Sequence, residues 1–187
     1  LRVFRIAPGL ETCMFRGMSQ RFYFDRLIME RAAHLRRQEQ DILSSEAHHF
    51  TYIPTWQDKN LVSVGSEPAA VLVRGDDAGW LKKNATLMIF LGLDGGTAYF
   101  GADISHLEDP TAAELPKGAF FEDLRRLATA IDNETAGYLA YARALAHWNR
   151  NHLYCGRCGA VTESRKSGHE RLCTNKACGR SHFPRTD

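Results

Sequence analysis

The sequence predicts an α+β fold: a mixed or antiparallel sheet with a few helices, followed by a longer helix and a small cysteine-rich unit. Two observations carry this prediction. Short apolar segments separated by Gly, Pro and Asp recur before residue 125, which is typical of strands joined by turns. Four of the five cysteines then lie within 24 residues near the C-terminus.

The composition agrees with a globular protein, since the 187 residues are 44% hydrophobic and 25% charged. No apolar run approaches the roughly 20 residues that span a bilayer, and residues 1–10 lack the features of a secretory signal. We therefore expect an intracellular, cytoplasmic protein without a membrane partner. Because position 1 is not Met and the chain stops abruptly at Asp187, we also expect a fragment of a longer protein.

Residues 1–24 receive no predicted structure, and residues 25–131 are expected to form the α+β domain. Residues 25–43 are rich in helix formers, so part of this stretch is predicted to be helical. An extended region follows around Pro54, and short strands are predicted at residues 61–64 and 70–74. Residues 86–93 are apolar without alternation, which predicts a central strand buried on both faces.

A hairpin is predicted next, because Asp94-Gly95-Gly96 separates residues 86–93 from a second strand at 97–100. Residues 120–130 are predicted to be helical, with Phe121, Leu124 and Leu127 on one face. A connecting helix is expected within residues 132–152. Asp132 or Asn133 suits its N-cap, and an aromatic and leucine stripe at 138, 141, 145 and 148 is predicted to face the core.

The cysteines of residues 153–187 form two turns that can face each other. Cys155 and Cys158 are separated by two residues, and Cys173 and Cys178 by four. Four thiolates close a tetrahedral shell around one Zn²⁺, so the expected site is structural and the expected unit is a small rubredoxin-like zinc ribbon. Gly159 and Gly179 follow the second cysteine of each pair, where a positive φ is often required.

Alternatives to four-cysteine ligation remain open at this stage. His152, His169 or His182 could replace one cysteine, and a disulfide or free thiols are further possibilities. Cys13 stands apart and is expected to be an ordinary free cysteine. We find no Gly-x-Ser-x-Gly elbow, no phosphate-binding loop and no paired carboxylates in a catalytic arrangement, so the residues themselves predict no catalytic set.

The stretch 142–187 resembles the NADH pyrophosphatases of the Nudix hydrolase family. The resemblance rests on Ala142-Arg143-Ala144, Trp148-Asn149, the Cys-x-x-Cys-Gly opening at 155–159 and the ending His182-Phe183-Pro184-Arg185-Thr186-Asp187. Weaker similarity extends to residue 25. The resemblance implies that the ending leads from the ribbon into a Nudix catalytic domain.

Several functional expectations follow from this resemblance. The family hydrolyses NAD(H) to nicotinamide mononucleotide and AMP with Mg²⁺ or Mn²⁺, and some members remove NAD caps from RNA. The Nudix box with its catalytic glutamates is missing from this sequence, so this chain alone is expected to be inactive and to support a homodimer and the catalytic domain. Phe183 matches an aromatic residue near the bound nucleotide, although packing of the ribbon against the next domain explains it equally well.

A second function from another class stays open: a zinc-ribbon module that binds nucleic acid. Residues 155–187 carry seven Lys or Arg against three Asp or Glu, which makes the ribbon basic. A third alternative is a structural dimerisation module that binds no ligand. The basic residues of the ribbon are Arg157, Arg165, Lys166, Arg171, Lys176, Arg180 and Arg185.

Overall fold

The computed structural model describes residues 29–37, 42, 49–63, 68–127 and 130–185. Of the segment 25–43, which the sequence predicts to be partly helical, the structure describes a 3-10 helix at Ala33–Arg37. The rest of that prediction, apart from residues 29–32 and 42, lies outside the described residues, as does Cys13.

The described residues contain a sheet of seven strands, mixed in direction. β1 lies near its centre, pairing in parallel with β6 on one side and antiparallel with β2 and β4 on the other. β5 pairs with β6, while β3 and β7 pair with β2. The strands are β1 (His49–Trp56), β2 (Lys59–Ser63), β3 (Ala69–Ala70), β4 (Val73–Arg74), β5 (Leu87–Asp94), β6 (Thr97–Asp103) and β7 (Ala119–Glu122).

Three α-helices accompany the sheet in the described part of the chain: α1 (Gly79–Asn84), α2 (Leu124–Leu127) and α3 (Asn133–Asn151). The connecting helix predicted within residues 132–152 is confirmed as α3. Asp132 caps it, and the Asp132 carboxylate accepts a hydrogen bond from the Thr135 N–H at 2.8 Å. The predicted stripe is largely buried, since Tyr138, Leu145 and Trp148 are each at most 9% exposed. α3 packs on one face of the sheet.

The core has two parts, one on each face of the sheet. Leu139, Ala142 and Leu145 of α3 pack against sheet residues that include Ile53 and Ile89. Because Gly101 has no side chain, α3 approaches the sheet closely there; a Cβ at this position would lie 3.4 Å from the Ala142 Cβ. The opposite face is covered by α1 and the loops after β6, and its buried residues include Tyr52, Leu61, Leu81, Phe90, Phe100 and Ile104.

The helix predicted for residues 120–130 is wrong in its first half. Residues Ala119–Glu122 form β7, which pairs antiparallel with β2, and a single helical turn follows at Leu124–Leu127. Phe120 and Phe121 have high β propensity, and the exposed edge of β2 supplies their hydrogen-bonding partner. The strand predicted for 70–74 is likewise divided into β3 and β4, which pair with different strands.

The predicted hairpin at Asp94-Gly95-Gly96 is confirmed, but the strand before it is not central. β5 lies at the end of the sheet, with a bulge between Phe90 and Gly92. Both of its faces are nevertheless buried, because Ile89 and Leu91 face α3 while Phe90 faces the opposite core. Its outer edge is also covered: Glu30 and Leu93 exchange two backbone hydrogen bonds of 2.9 and 2.8 Å.

A second sheet of three strands follows α3. It is formed by β8 (Thr162–Arg165), β9 (Glu170–Cys173) and β10 (Ser181–His182), with β9 in the middle and all pairs antiparallel. Residues 153–185, which contain this sheet, are called the ribbon below, and the turn 166–169 between β8 and β9 is called the ribbon tip. The observed α+β architecture with a C-terminal ribbon is the fold class that the sequence predicts.

Candidate metal centre

Each cysteine turn is built by the same local hydrogen bonds. The Gly159 N–H donates to the Cys155 carbonyl at 2.8 Å, and the Gly179 N–H donates to the Asn175 carbonyl at the same distance. Both glycines have positive φ, +74° and +53°, a conformation that other residues adopt only with strain. Asn175 thus takes the place in the second turn that Cys155 takes in the first, and the wider spacing of Cys173 and Cys178 adds two residues ahead of an equivalent turn.

The two turns bring the four cysteine sulfurs together, all within 4.8 Å of one another. Cys155 Sγ lies 3.8 Å from Cys178 Sγ, and Cys158 Sγ lies 3.5 Å from Cys173 Sγ. Four sulfurs placed tetrahedrally at about 2.3 Å from a zinc ion are separated by about 3.8 Å. The cluster therefore fits a Zn²⁺ ion in both donor chemistry and spacing.

Backbone N–H groups point at the sulfurs and favour their charged form. The N–H of Arg157 is the main cause that lowers the pKa of Cys155 to about 5. Burial raises the pKa of Cys173 to about 12, although the N–H of Asn175 acts in the opposite direction. A thiol that resists ionisation by itself requires a nearby cation to become a thiolate, which is what a bound divalent metal supplies.

Of the three histidines considered as alternative ligands, one reaches the cluster. His182 Nε2 lies 3.3 Å from Cys155 Sγ, so the imidazole can donate a hydrogen bond to that sulfur. His152 contacts the Trp148 carbonyl, and His169 contacts the Phe90 carbonyl. His182 is therefore placed to support a cysteine ligand from outside the tetrahedron, as groups around metal ligands commonly do.

The ribbon tip docks on the outer edge of β5. The Phe90 N–H donates to the Ser167 carbonyl at 3.2 Å, and His169 Nε2 donates to the Phe90 carbonyl at 2.6 Å. Gly168 lies against Ile89 with φ of +86°. Burial lowers the pKa of His169 to about 4, so its ring is neutral near pH 7 and the proton on Nε2 makes this hydrogen bond.

Asn149 of α3 is the polar link between helix and ribbon. Its side chain is buried, and Nδ2 donates to the Leu145 carbonyl at 3.0 Å and to the Gly168 carbonyl at 2.8 Å. Its Oδ1 accepts from Arg171, whose guanidinium also donates to Thr162 Oγ1 and the Thr162 carbonyl, both at 2.7 Å. Sequence reasoning missed this role of Asn149; the only local signal is that Asn149 continues the buried stripe four residues after Leu145.

The ribbon offers fewer free cations than its sequence suggests. Arg171 is buried, Arg165 pairs with Glu163 at 2.6 Å, and Lys166 pairs with Glu170 at 2.6 Å. Arg157, Lys176 and Arg180 are exposed. Because intramolecular partners occupy three of the seven basic side chains, the charge argument for a nucleic-acid-binding ribbon is weaker in the structure than in the sequence.

Phe183 follows β10 and is 54% exposed. The ammonium of Lys166 lies 5.3 Å from the centroid of its ring, a cation–π arrangement that holds the ring near the ribbon tip. The ring therefore presents a largely free face beside a cation.

The mixed sheet, the helix packed on it and the four-cysteine ribbon define an α+β protein of the zinc-ribbon class. Family models identify it further. The model described as NADH pyrophosphatase-like rudimentary NUDIX domain matches residues 51–148, and the model described as NADH pyrophosphatase zinc ribbon domain matches residues 150–183. The chain belongs to this NADH pyrophosphatase-like NUDIX family, which confirms the resemblance seen in the sequence.

Curated relatives agree with this assignment. The chain is 31% identical over 117 residues to the NAD-capped RNA hydrolase NudC of Stutzerimonas stutzeri, covering 59% of this chain and 40% of that protein. It is 25% identical over 207 aligned positions to the NAD-capped RNA hydrolase NUDT12 of Homo sapiens, covering 88% of this chain and 44% of that protein. The chain thus spans less than half the length of these relatives.

Among the described residues, none of the helices combines the length with the apolar character that a membrane-spanning segment requires.

Proposed function

We propose that this chain is the N-terminal domain and zinc ribbon of an NAD(H) pyrophosphatase that also acts on NAD-capped RNA. The observation that carries the proposal is the uninterrupted succession of the two matches, 51–148 and 150–183, with a four-sulfur cluster inside the second. The relatives named NAD-capped RNA hydrolases supply the substrate class. The reaction itself, cleavage of a phosphoanhydride with Mg²⁺ or Mn²⁺, is assigned to a Nudix catalytic domain that would follow the ribbon.

Within this proposal Cys155, Cys158, Cys173 and Cys178 bind one structural Zn²⁺. Their spacing fits a tetrahedral shell, and a shell of four thiolates leaves no position for water or substrate. The metal would hold the ribbon in shape and take no part in the chemistry. Thiolate ligands persist in a reducing compartment, which favours an intracellular location.

Metal analysis of the purified chain tests this assignment. We expect one equivalent of zinc per chain, and Cys158→Ser is expected to lower the zinc content well below one equivalent. Ser164→Ala, an exposed change in β8 that leaves the sulfurs untouched, serves as the control. A Cys158→Ser variant that retains a full equivalent after dialysis against a chelator would contradict four-cysteine ligation.

The role of the chain in catalysis is tested by activity. The 187-residue chain is expected to release no AMP from NADH in the presence of Mg²⁺, while a chain continued into a Nudix domain is expected to do so. Size-exclusion chromatography with light scattering measures the proposed homodimer. An extended protein that cleaves neither NADH, NAD nor NAD-capped RNA would refute the proposed activity.

Phe183 is proposed to lie beside the bound nucleotide, where its exposed ring could stack on a base. In the extended enzyme, Phe183→Ala is then expected to raise KM for NADH about tenfold, the loss of roughly 1.4 kcal/mol of stacking. Phe183→Tyr, which keeps the ring, is expected to restore most of the affinity. An unchanged KM together with a lower melting temperature in Phe183→Ala would favour a packing role instead.

A further inference from the structure

Two arginines, Arg31 and Arg36, lie close together near Tyr141 of α3. The guanidinium carbon of Arg31 lies 5.0 Å from the centroid of Tyr141, over the face of the ring. Arg36, in the 3-10 helix that follows, donates from Nη2 to the Arg31 carbonyl at 2.9 Å. It lies near enough to the Tyr141 side chain for that group to act on the pKa of Arg36. Two like charges therefore lie close together beside Tyr141.

No carboxylate offsets these charges among the described residues. Neither Arg31 nor Arg36 belongs to any ion pair found there. The Nε–H of Arg36 is buried and has no acceptor. A buried donor without a partner is unfavourable, and more so when the group is charged. Burial is also the main cause that lowers the pKa of Arg36. Within the described part of the chain, no negatively charged group is paired with Arg31 or Arg36.

The other half-buried or buried arginines of the described chain have their acceptors. Arg143 pairs with Asp123 at 3.6 Å, and Arg150 bridges Asp58 and Asp103. Arg171, the most buried, donates to two oxygens of Thr162 and to Asn149. In contrast to these arginines, Arg31 and Arg36 have no carboxylate partner among the residues that the structure describes.

The ribbon tip also lies next to Arg31, Arg36 and Tyr141. The ring centroids of Tyr141 and His169 are 6.3 Å apart, and both guanidinium charges act to lower the pKa of His169. Because His169 Nε2 donates to the Phe90 carbonyl, the ring adds no charge of its own. Residues 31–36, α3 and the ribbon tip therefore meet at one positively charged site.

We propose that Arg31, Arg36 and Tyr141 form a binding site for a phosphate group of a nucleotide or of an RNA backbone. Guanidinium groups present parallel N–H donors that match phosphate oxygens, and such charge-assisted hydrogen bonds are about twice as strong as neutral ones. A phosphate bound between the two guanidinium groups would offset the positive charges of Arg31 and Arg36, which attract no carboxylate of the described residues. This site is distinct from the cysteine cluster and does not depend on the proposed hydrolase activity.

Calorimetric titration of the purified chain with inorganic pyrophosphate at constant ionic strength tests the proposal. Saturable binding is expected, and Arg36→Gln or Arg31→Gln is expected to weaken it at least tenfold. Arg37→Gln is the matched control, since Arg37 is an exposed neighbour in the same 3-10 helix. Arg36→Lys keeps the positive charge but loses the paired N–H donors of the guanidinium group. Its affinity for pyrophosphate is therefore expected to lie between those of the wild type and Arg36→Gln. Far-UV circular dichroism and zinc content establish that each variant is folded.

Two further titrations distinguish the source of the phosphate. Tighter binding of AMP than of a ten-nucleotide single-stranded RNA identifies a free nucleotide. Tighter binding of the RNA, with an affinity that falls steeply as salt rises, identifies a nucleic-acid backbone. Pyrophosphate binding that does not saturate, or that Arg31→Gln and Arg36→Gln leave unchanged, overturns the site. An extended enzyme that releases no AMP from NADH would not overturn this site, because hydrolase activity and pyrophosphate binding are measured in separate experiments.

Discussion

Gly168→Ala is the substitution that examines the junction between ribbon and sheet most directly. A Cβ built at Gly168 would lie 2.8 Å from Ile89 Cγ1, 3.0 Å from Cγ2 and 3.1 Å from Cβ. Carbon atoms pack best at about 3.5–4.0 Å. Ile89 is fully buried in the core beneath α3, so it has no open space into which to move.

Two costs add in this variant. Alanine at the φ of +86° observed for Gly168 is destabilised by about 1–2 kcal/mol relative to glycine. Overpacking against Ile89 adds about 1–3 kcal/mol. The free energy of unfolding is therefore expected to fall by about 2–5 kcal/mol.

Gly118→Ala separates the two costs. Gly118 has a similar φ, +76°, but a Cβ there meets no atom within 4 Å. Urea unfolding followed by circular dichroism is expected to show a loss of about 1–2 kcal/mol for Gly118→Ala and a clearly larger loss for Gly168→Ala. Ile89→Ala removes both Cγ atoms, so in its background the additional cost of Gly168→Ala is expected to shrink by at least about 1 kcal/mol. Equal losses for the two glycine variants, or full additivity with Ile89→Ala, would refute the docking of the tip on β5.

Three other changes test neighbouring parts of the argument. Asn149→Ala leaves the Gly168 carbonyl and one Arg171 donor without their partner, so the free energy of unfolding is expected to drop by about 2–4 kcal/mol in urea titrations; Asn151→Ala, on the exposed side of the last turn of α3, should cost far less. Asp132→Ala removes the N-cap of α3 and is expected to cost about 1 kcal/mol, whereas Asp132→Asn should retain most of the stability. His169 has a folded pKa of about 4, below its unfolded value. Its contribution to the free energy of unfolding is therefore complete above about pH 6.5 and is lost as the pH falls toward the folded pKa. From pH 7 to pH 5.5 the wild type is expected to lose about 1 kcal/mol more than His169→Gln; parallel pH profiles, with zinc content unchanged, would contradict the neutral buried ring.

Local patterns allowed much of the fold to be predicted. The cap at Asp132 and the stripe through Tyr138 and Leu145 specified α3, and the double glycine at Gly95-Gly96 specified the β5–β6 hairpin. Residues 120–130 were misassigned because their apolar spacing fits a helix, whereas β2 offers a strand partner that lies some sixty residues earlier in the chain. Periodicity reports what a segment can bury and not which edge it will meet.

The candidate site shows the same division. Cysteine spacing and the glycines after each pair are short-range features, and from them the two facing turns follow. The contact of His169 with Phe90 joins residues 79 positions apart, so no local sequence pattern predicts it. Arg36 looked like one more charged residue in a helix-forming stretch. Its missing acceptor became visible only when Tyr141 and the ribbon tip were placed beside it.

The covering of β5 by the ribbon tip has a consequence for the fate of the chain when metal is scarce. If a chelator removes the metal and the ribbon loosens, the backbone groups of Phe90 lose their partners and an apolar strand at the end of the sheet is left open. Open strand edges invite pairing with a second chain. Removal of zinc is therefore expected to cause self-association before other changes. The supply of zinc would then determine the fraction of chains that remain unassociated.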